Sequence, residues 1–182
     1  MQVSVYIATS LDGFIARENG DLDWLIQASA NVPKDEDCGY NAFMDTVDVL
    51  VMGRNTYEKV LSFGVDWPYE KHVIVLSRRE LEVPEALYGK VSHSSEAPNV
   101  LVARLKRQGV KRIYLDGGIT VQRFLNAGLV DDLCITVIPI LLGCGKSLFN
   151  QSDRDVSATK LKLIESKAYD FGFVQSHYEV VR

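Results

Sequence analysis

Asp48-Val49-Leu50-Val51-Met52-Gly53-Arg54-Asn55-Thr56-Tyr57-Glu58 is the stretch on which the reading of this chain turns. Its apolar run is too short for a buried helix and lacks the apolar–polar alternation of a half-exposed strand. Such a run makes a strand covered on both faces, which is the condition of strands in a parallel sheet. Gly53 ends the run, and a short helical stretch through Leu61 follows.

The same unit recurs along the chain. His72-Val73-Ile74-Val75-Leu76 ends at Ser77-Arg78-Arg79, and Asn99 to Gln108 follows as a helix with Val102 and Leu105 inward and Gly109 as its stop. Arg112-Ile113-Tyr114-Leu115 closes at Asp116-Gly117-Gly118 and opens a helix with Val121, Phe124 and Leu125 inward, stopped at Gly128. Short apolar strands alternating with helices predict an α/β fold on a mostly parallel sheet. Upstream, Val3 to Ala8 alternates as a strand and runs into the turn Leu11-Asp12-Gly13. The polar segment Glu18 to Asp37 has a helical turn at Asp21 to Gln27, and Tyr40, Phe43, Met44 and Val47 then follow helical spacing. Downstream, Leu133 to Leu141, Leu161 to Tyr169 and Phe173 to Val181 read as strands with no helix between them, which predicts an antiparallel edge.

With no repeat, linker or low-complexity tract, the 182 residues form one domain, 1–182. The apolar share of 47% and charged share of 24% belong to a globular protein. No apolar run reaches the ~18 residues of a membrane span; the longest, Leu133 to Leu142, is broken by Thr136 and Pro139. Met1-Gln2 leads straight into a strand, so a cytoplasmic protein without a leader is expected. Cys38, Cys134 and Cys144 share no metal-ligand spacing and His72, His93 and His177 are scattered, so neither metal nor disulfide framework is expected.

The net charge of −4 is unevenly spread. Residues 1–48 hold two basic and nine acidic groups, and the remaining 134 hold 18 basic and 15 acidic ones. No basic stripe with interleaved aromatics appears, which excludes general nucleic-acid binding and leaves a small molecule as the partner. An anionic ligand belongs in the later part of the chain.

Three strand ends carry chemistry. Gly53-Arg54-Asn55-Thr56 combines close backbone approach, a cation and a hydroxyl at a helix start. Leu76-Ser77-Arg78-Arg79 adds a hydroxyl and two cations, and Gly117-Gly118 opens a helix as an anion nest does. Singly, each is also an ordinary turn or a solvated loop; at successive strand ends they point to one extended ligand with several phosphates. Two other signatures fail: Gly145-Lys146-Ser147 has Ile140 where a P-loop requires glycine, and no G-x-G-x-x-G follows the first strand.

Ser10-Leu11-Asp12-Gly13-Phe14-Ile15-Ala16, Val51-Met52-Gly53-Arg54-Asn55-Thr56-Tyr57-Glu58, Ile74-Val75-Leu76-Ser77-Arg78 and Asp116-Gly117-Gly118 resemble, in order, the dihydrofolate reductase-like family. The branch is the one containing the reductase domain of the bifunctional riboflavin-biosynthesis deaminase/reductase. Pro139 to Phe149 resembles that branch's late hairpin. The resemblance implies a three-layer sandwich, with a mostly parallel central sheet, helices on both faces and an antiparallel C-terminal edge. It also implies NADP(H), with the 2′-phosphate among Arg54, Ser77 and Arg78 and the pyrophosphate on helix N-termini at Thr56 and at Gly117 to Val121. Ala8 and the loop through Ile15 would flank the nicotinamide. The implied cofactor set is thus Ala8, Ile15, Gly53, Arg54, Asn55, Thr56, Leu76, Ser77, Arg78, Asp116, Gly117, Gly118, Ile119, Thr120 and Val121. In that family the glycine pair is often joined by a cis peptide.

The reaction implied is hydride transfer to a C=N or C=O bond of a pteridine- or pyrimidine-like ring. An acid beside the ring would manage the proton. Counting back from Gly53 by the family pattern puts Asp37 there, although Asp35-Glu36-Asp37 at a helix start is also ordinary dipole chemistry. Asp12 is a second candidate, equally explained by its turn. Tyr6, Trp24 and Tyr40 would line the substrate pocket, with Trp24 either stacking platform or core. Arg17 and Lys34 are the cations of residues 1–48, with Lys146 or Arg123 available to fold over, which favours an uncharged or cationic substrate. A non-catalytic nucleotide-binding or sensing module, or a scaffold, is the competing reading. The apolar segment Val137 to Leu142 with Phe149 leads to the expectation of a homodimer.

Overall fold

A computed structural model describes residues 1–149 and 158–182. In chain order the elements are β1 (Gln2–Ser10), β2 (Phe14–Ala16), α1 (Asp23–Ser29), α2 (Tyr40–Asp45), β3 (Val49–Gly53), α3 (Arg54–Leu61) and β4 (His72–Leu76). There follow β5 (Val91–Ser94), α4 (Pro98–Arg107), β6 (Arg112–Asp116), α5 (Gly118–Asn126), β7 (Asp132–Ile138), β8 (Lys146–Ser147), β9 (Lys160–Ala168) and β10 (Val174–Val181).

Eight strands form one sheet in the order β5-β4-β3-β6-β1-β7-β10-β9. The first six run parallel, and β10 and β9 add an antiparallel edge. On one face, Leu101 and Leu105 of α4 and Val121 and Phe124 of α5 pack on Val5, Val51, Ile113 and Leu115. On the other, Phe43 and Met44 of α2 and Tyr57 of α3 close over Leu50, Met52, Val73, Val75 and Tyr114. The strand residues of both sets are almost fully buried, each contributing about 1.5–3 kcal/mol. This is the expected three-layer α/β sandwich. Among the described residues no helix is long and apolar enough to cross a membrane.

Four details differ from the sequence reading. Pro139 to Phe149 does not form a hairpin with itself: Lys146-Ser147 pairs instead with Phe14 and Ala16 in a second, two-stranded sheet. The strand before it stops at Ile138, because Pro139 has no N–H to continue the ladder. Val91-Ser92-His93-Ser94 joins β4 in parallel register, a four-residue strand too polar to show as a run. The Gly117–Gly118 peptide is trans, and Gly117 makes the turn with φ 86°.

Candidate active site

Parallel register brings the three chemistry-bearing strand ends together. Gly53 lies opposite Leu76, and Met52 lies opposite Asp116, so β4, β3 and β6 present their tips side by side at one end of the sheet. Helices α3 and α5 start directly from these tips, with Gly53 and Gly117 at their N-caps and no side-chain caps. The two helix starts are in contact. A side chain on Gly117 would overlap the Thr56 hydroxyl, and a Cβ on Gly53 would sit 3.1 Å from Thr120 Oγ1. The Ile15 side chain and the Ser147 carbonyl press on Gly118, which seats the small β2–β8 sheet against the same turn. Uncapped first turns direct backbone N–H groups and positive dipole ends outward, the arrangement that suits a diphosphate.

The cationic flank is built from α3 and the turn after β4. Arg54 Nε pairs with Glu58 Oε1 at 2.6 Å, and its Nη1 donates to the Glu80 carbonyl at 3.1 Å, fixing the guanidinium across both segments. Ser77 Oγ donates to the Arg79 carbonyl at 2.8 Å and accepts the Arg79 N–H at 3.1 Å. His93 Nε2 contacts the Ser77 carbonyl at 2.7 Å, so β5 shapes this turn as well. Arg78 extends from it, exposed. The strand ends thus hold Arg54, Ser77 and Arg78 at one side of the two helix starts, a donor set that fits a nucleotide carrying an extra phosphate.

The carboxylates separate sharply. Asp37 is exposed and accepts N–H bonds from Asn41 at 2.9 Å and Gly39 at 2.8 Å, which hold its pKa below the usual range. The Ser10 hydroxyl at 2.5 Å, with the N–H groups of Gly143 and Leu142, does the same for Asp12. Both are kept ionised, and neither has the surroundings of a proton donor at neutral pH. Asp116 differs. Burial pushes its carboxyl pKa up, and the Gly117 N–H and the Tyr69 hydroxyl 3.4 Å from Oδ2 offset only part of that.

Asp116 shares its face of β6 with Tyr114, and aromatic rings surround the pair. Tyr6 stacks on Phe43 with centroids 4.7 Å apart, Tyr40 meets Tyr6 edge-on at 5.9 Å, and Phe43 meets Tyr114 at 5.2 Å. Trp67 stands between Tyr57 and Tyr69, 5.8 and 5.2 Å away. Trp67 Nε1 and the Tyr57 hydroxyl are buried without a hydrogen-bond partner among the described residues. Ala8, Tyr40, Tyr69 and Asp116 each remain partly exposed. Burial raises the phenol pKa values of Tyr40 and Tyr69, so both stay neutral donors.

Of the expected pocket residues, Tyr6 and Tyr40 join this wall. Trp24 does not stack in a pocket: it is 1% exposed and packs with Ile138, Tyr169 and Phe173 as core. Arg17 is paired with Asp23 at 2.7 Å. Gln175 was not expected. Its Nε2 lies within 3.0 Å of the Tyr6 hydroxyl, the Cys38 carbonyl and Thr136 Oγ1, joining the antiparallel edge to the pocket wall. Nothing in the local pattern of β10 marks Gln175, whereas the parity of Arg112, Tyr114 and Asp116 along β6 does mark Asp116 as sharing the aromatic face.

Comparison with known proteins gives a consistent picture. The family described as RibD C-terminal domain matches residues 2–175. The crystal structure of a putative riboflavin biosynthesis protein from Shewanella sp. PV-4 superposes with a TM-score of 0.92 at 42% identity, over 100% of both chains. The uncharacterized protein YwjB of Bacillus subtilis (strain 168) is 35% identical over 176 residues, 96% of this chain and 95% of its own. The dihydrofolate reductase HdrB of Haloferax volcanii is 30% identical over 130 residues, 69% of this chain and 62% of its own.

Proposed function

Because the chain belongs to the family of RibD C-terminal domains, we propose that it is an NADPH-dependent reductase of a planar pteridine- or pyrimidine-like ring, with Asp116 as the group that manages the proton. Family membership and the haloarchaeal relative support oxidoreductase chemistry. The cofactor, the ring and the residue roles are the proposal. The observation that carries it is the meeting of two uncapped helix starts, at Thr56 and Gly117, beside a shielded carboxyl walled by aromatic rings.

In this reading the first-turn N–H groups of α3 and α5 hold the diphosphate, and Arg54, Ser77 and Arg78 hold the 2′-phosphate. When bound, NADPH supplies a hydride to a C=N or C=O bond. Tyr6, Tyr40 and Phe43 hold the ring flat and exclude water. Asp116, whose shielding raises its pKa, is the group that would carry a proton at its carboxyl oxygen to the heteroatom beside the reduced carbon. Tyr69 fixes the carboxyl's orientation through its hydroxyl.

Fluorescence titration is expected to give tighter binding of NADPH than NADH. Steady NADPH oxidation is expected with at least one dihydropteridine or aminopyrimidine of a panel. Equal affinity for both nucleotides removes the 2′-phosphate assignment, and tight binding without oxidation of any ring leaves a nucleotide-binding module. Arg54→Ala and Arg78→Ala each delete a charge-assisted contact of about 1.5–3 kcal/mol, so each variant should lose roughly 10- to 100-fold in NADPH affinity. NADH affinity should hardly change, and comparing the two dissociation constants checks this.

A further inference from the structure

Gly145-Lys146-Ser147 lacks the first glycine of a P-loop, yet the fold carries these three residues to the junction of α3 and α5 by another route. Lys146 and Ser147 form β8, which pairs antiparallel with β2. The approach is tight at Gly145. A Cβ there would overlap the Ala16 carbonyl oxygen and stand 3.3 Å from Phe14 Cβ, so glycine is what lets the two strands close. On its other side β8 is fastened to α5: Gln122 Nε2 donates to the Ser147 and Leu148 carbonyls at 3.0 and 3.1 Å. The Ser147 carbonyl also lies 3.2 Å from the place of a Cβ on Gly118. Lys146 is thereby held one residue from the contact with the first turn of α5.

The Lys146 side chain is exposed, and its Nζ lies 3.2 Å from the place of a Cβ on Gly20, in the turn that follows β2. That turn is tied to α3 by its next residue, since Lys59 Nζ donates to Asp21 Oδ1 at 2.9 Å. Lys59 stands one turn beyond Thr56 on the same side of α3, and the Thr56 hydroxyl fills the space beside Gly117. The turn after β2, β8 and the first turns of α3 and α5 therefore meet around one junction, with the Lys146 ammonium at its rim. The basic groups nearest to it are committed, Lys59 to Asp21 and Arg17 to Asp23. Lys146 enters no ion pair among the described residues.

We infer that Lys146 binds the diphosphate of the nucleotide, as the cation that completes the site made by the two helix starts. The inference rests on the reading of that junction as the nucleotide site. A dinucleotide's diphosphate carries two negative charges. Each helix start supplies the equivalent of about half a positive charge, which leaves roughly one charge unmatched. One ammonium matches it, and lysine binds phosphate oxygens as a point charge from any side it can reach. Arg54 is not available for this, because its guanidinium is clamped between Glu58 and the Glu80 carbonyl. Lys146 has no such clamp, so turning toward the ligand costs it only rotamer freedom.

Titrations with NADPH, NADH and adenosine 2′-monophosphate, followed by fluorescence or calorimetry, test this. Lys146→Met should bind NADPH and NADH each roughly tenfold more weakly, the low end for a charge-assisted contact at an exposed side chain. Its affinity for adenosine 2′-monophosphate, which has no diphosphate, should not change. Lys146→Arg keeps the charge and should recover most of the loss. Neither variant should melt at a different temperature, since the side chain packs against nothing. NADH affinity should also depend less on salt in Lys146→Met, because one screened ion contact is gone. Unchanged affinity for both dinucleotides in Lys146→Met overturns the inference and leaves the nucleotide site standing. A loss confined to NADPH, or a raised KM for the ring substrate alone, overturns it too. If the unaltered chain binds neither dinucleotide, the reading of the junction fails and the inference fails with it.

Discussion

Asp116→Asn is expected to reduce turnover by about 100-fold or more, the scale on which a positioned acid contributes, while NADPH affinity stays near its starting value. Asparagine preserves the shape and can still accept from Tyr69 and the Gly117 N–H, so what disappears is the proton. The pH profile separates this from a packing effect. Shielding raises the pKa of Asp116, so turnover by the unaltered protein should fall as pH rises through that raised value. The asparagine variant should show no such limb. Stability moves the same way with pH as activity. An acid whose pKa is higher folded than unfolded binds more protons in the folded state, so stability declines as pH rises from the unfolded value through the folded one. At neutral pH the variant should therefore melt no lower than the original, and higher if its amide is well accommodated. Unchanged turnover in Asp116→Asn with a retained alkaline limb would transfer the role to another group.

Gly117→Ala is expected to be the most damaging single methyl in the site. Gly117 has φ 86° and ψ 136°, a conformation nearly confined to glycine, and forcing another residue into it costs of order 1–3 kcal/mol. The added Cβ would also occupy the space of the Thr56 hydroxyl, so α3 and α5 would have to part where their first turns now touch. Both a lower melting temperature and a loss of at least tenfold in NADPH affinity should follow. Gly109→Ala is the control, because Gly109 has the same φ of 86° with nothing within 4 Å of an added Cβ. It should lose stability without losing nucleotide affinity. If the two variants bind NADPH equally well, the junction of the helices is not the diphosphate site.

The parallel core was legible because β3, β4 and β6 are buried on both faces, and double burial leaves an unbroken apolar run in the sequence. Arg54, Ser77 and Gly117 were legible for a related reason: each follows its strand directly, so position in the chain gives position at the sheet's end. What escaped depends on partners far away in sequence. Two- and three-residue strands such as β2 and β8 exist only because residues 14–16 meet residues 146–147. The acid was the clearest instance. The family resemblance led to Asp37, whose local N–H partners keep it ionised, while Asp116 owes its raised pKa to burial among residues far away in sequence, Tyr69 among its neighbours. Trp24 could not be divided between core and ligand platform without Ile138 and Phe173.

The position of β1 bears on how the molecule is made. Its two neighbours are β6 and β7, so Gln2 finds its strand partner only at Arg112 and Ser4 its other one only at Asp132. A chain emerging from the ribosome must carry this apolar ribbon unpaired until Arg112 and the residues after it have been made. Gln175, the latch on Tyr6, emerges later still. Loop closures of that span delay folding, and the slowest step in refolding should be the threading of β1 into the middle of a sheet that has to wait for it.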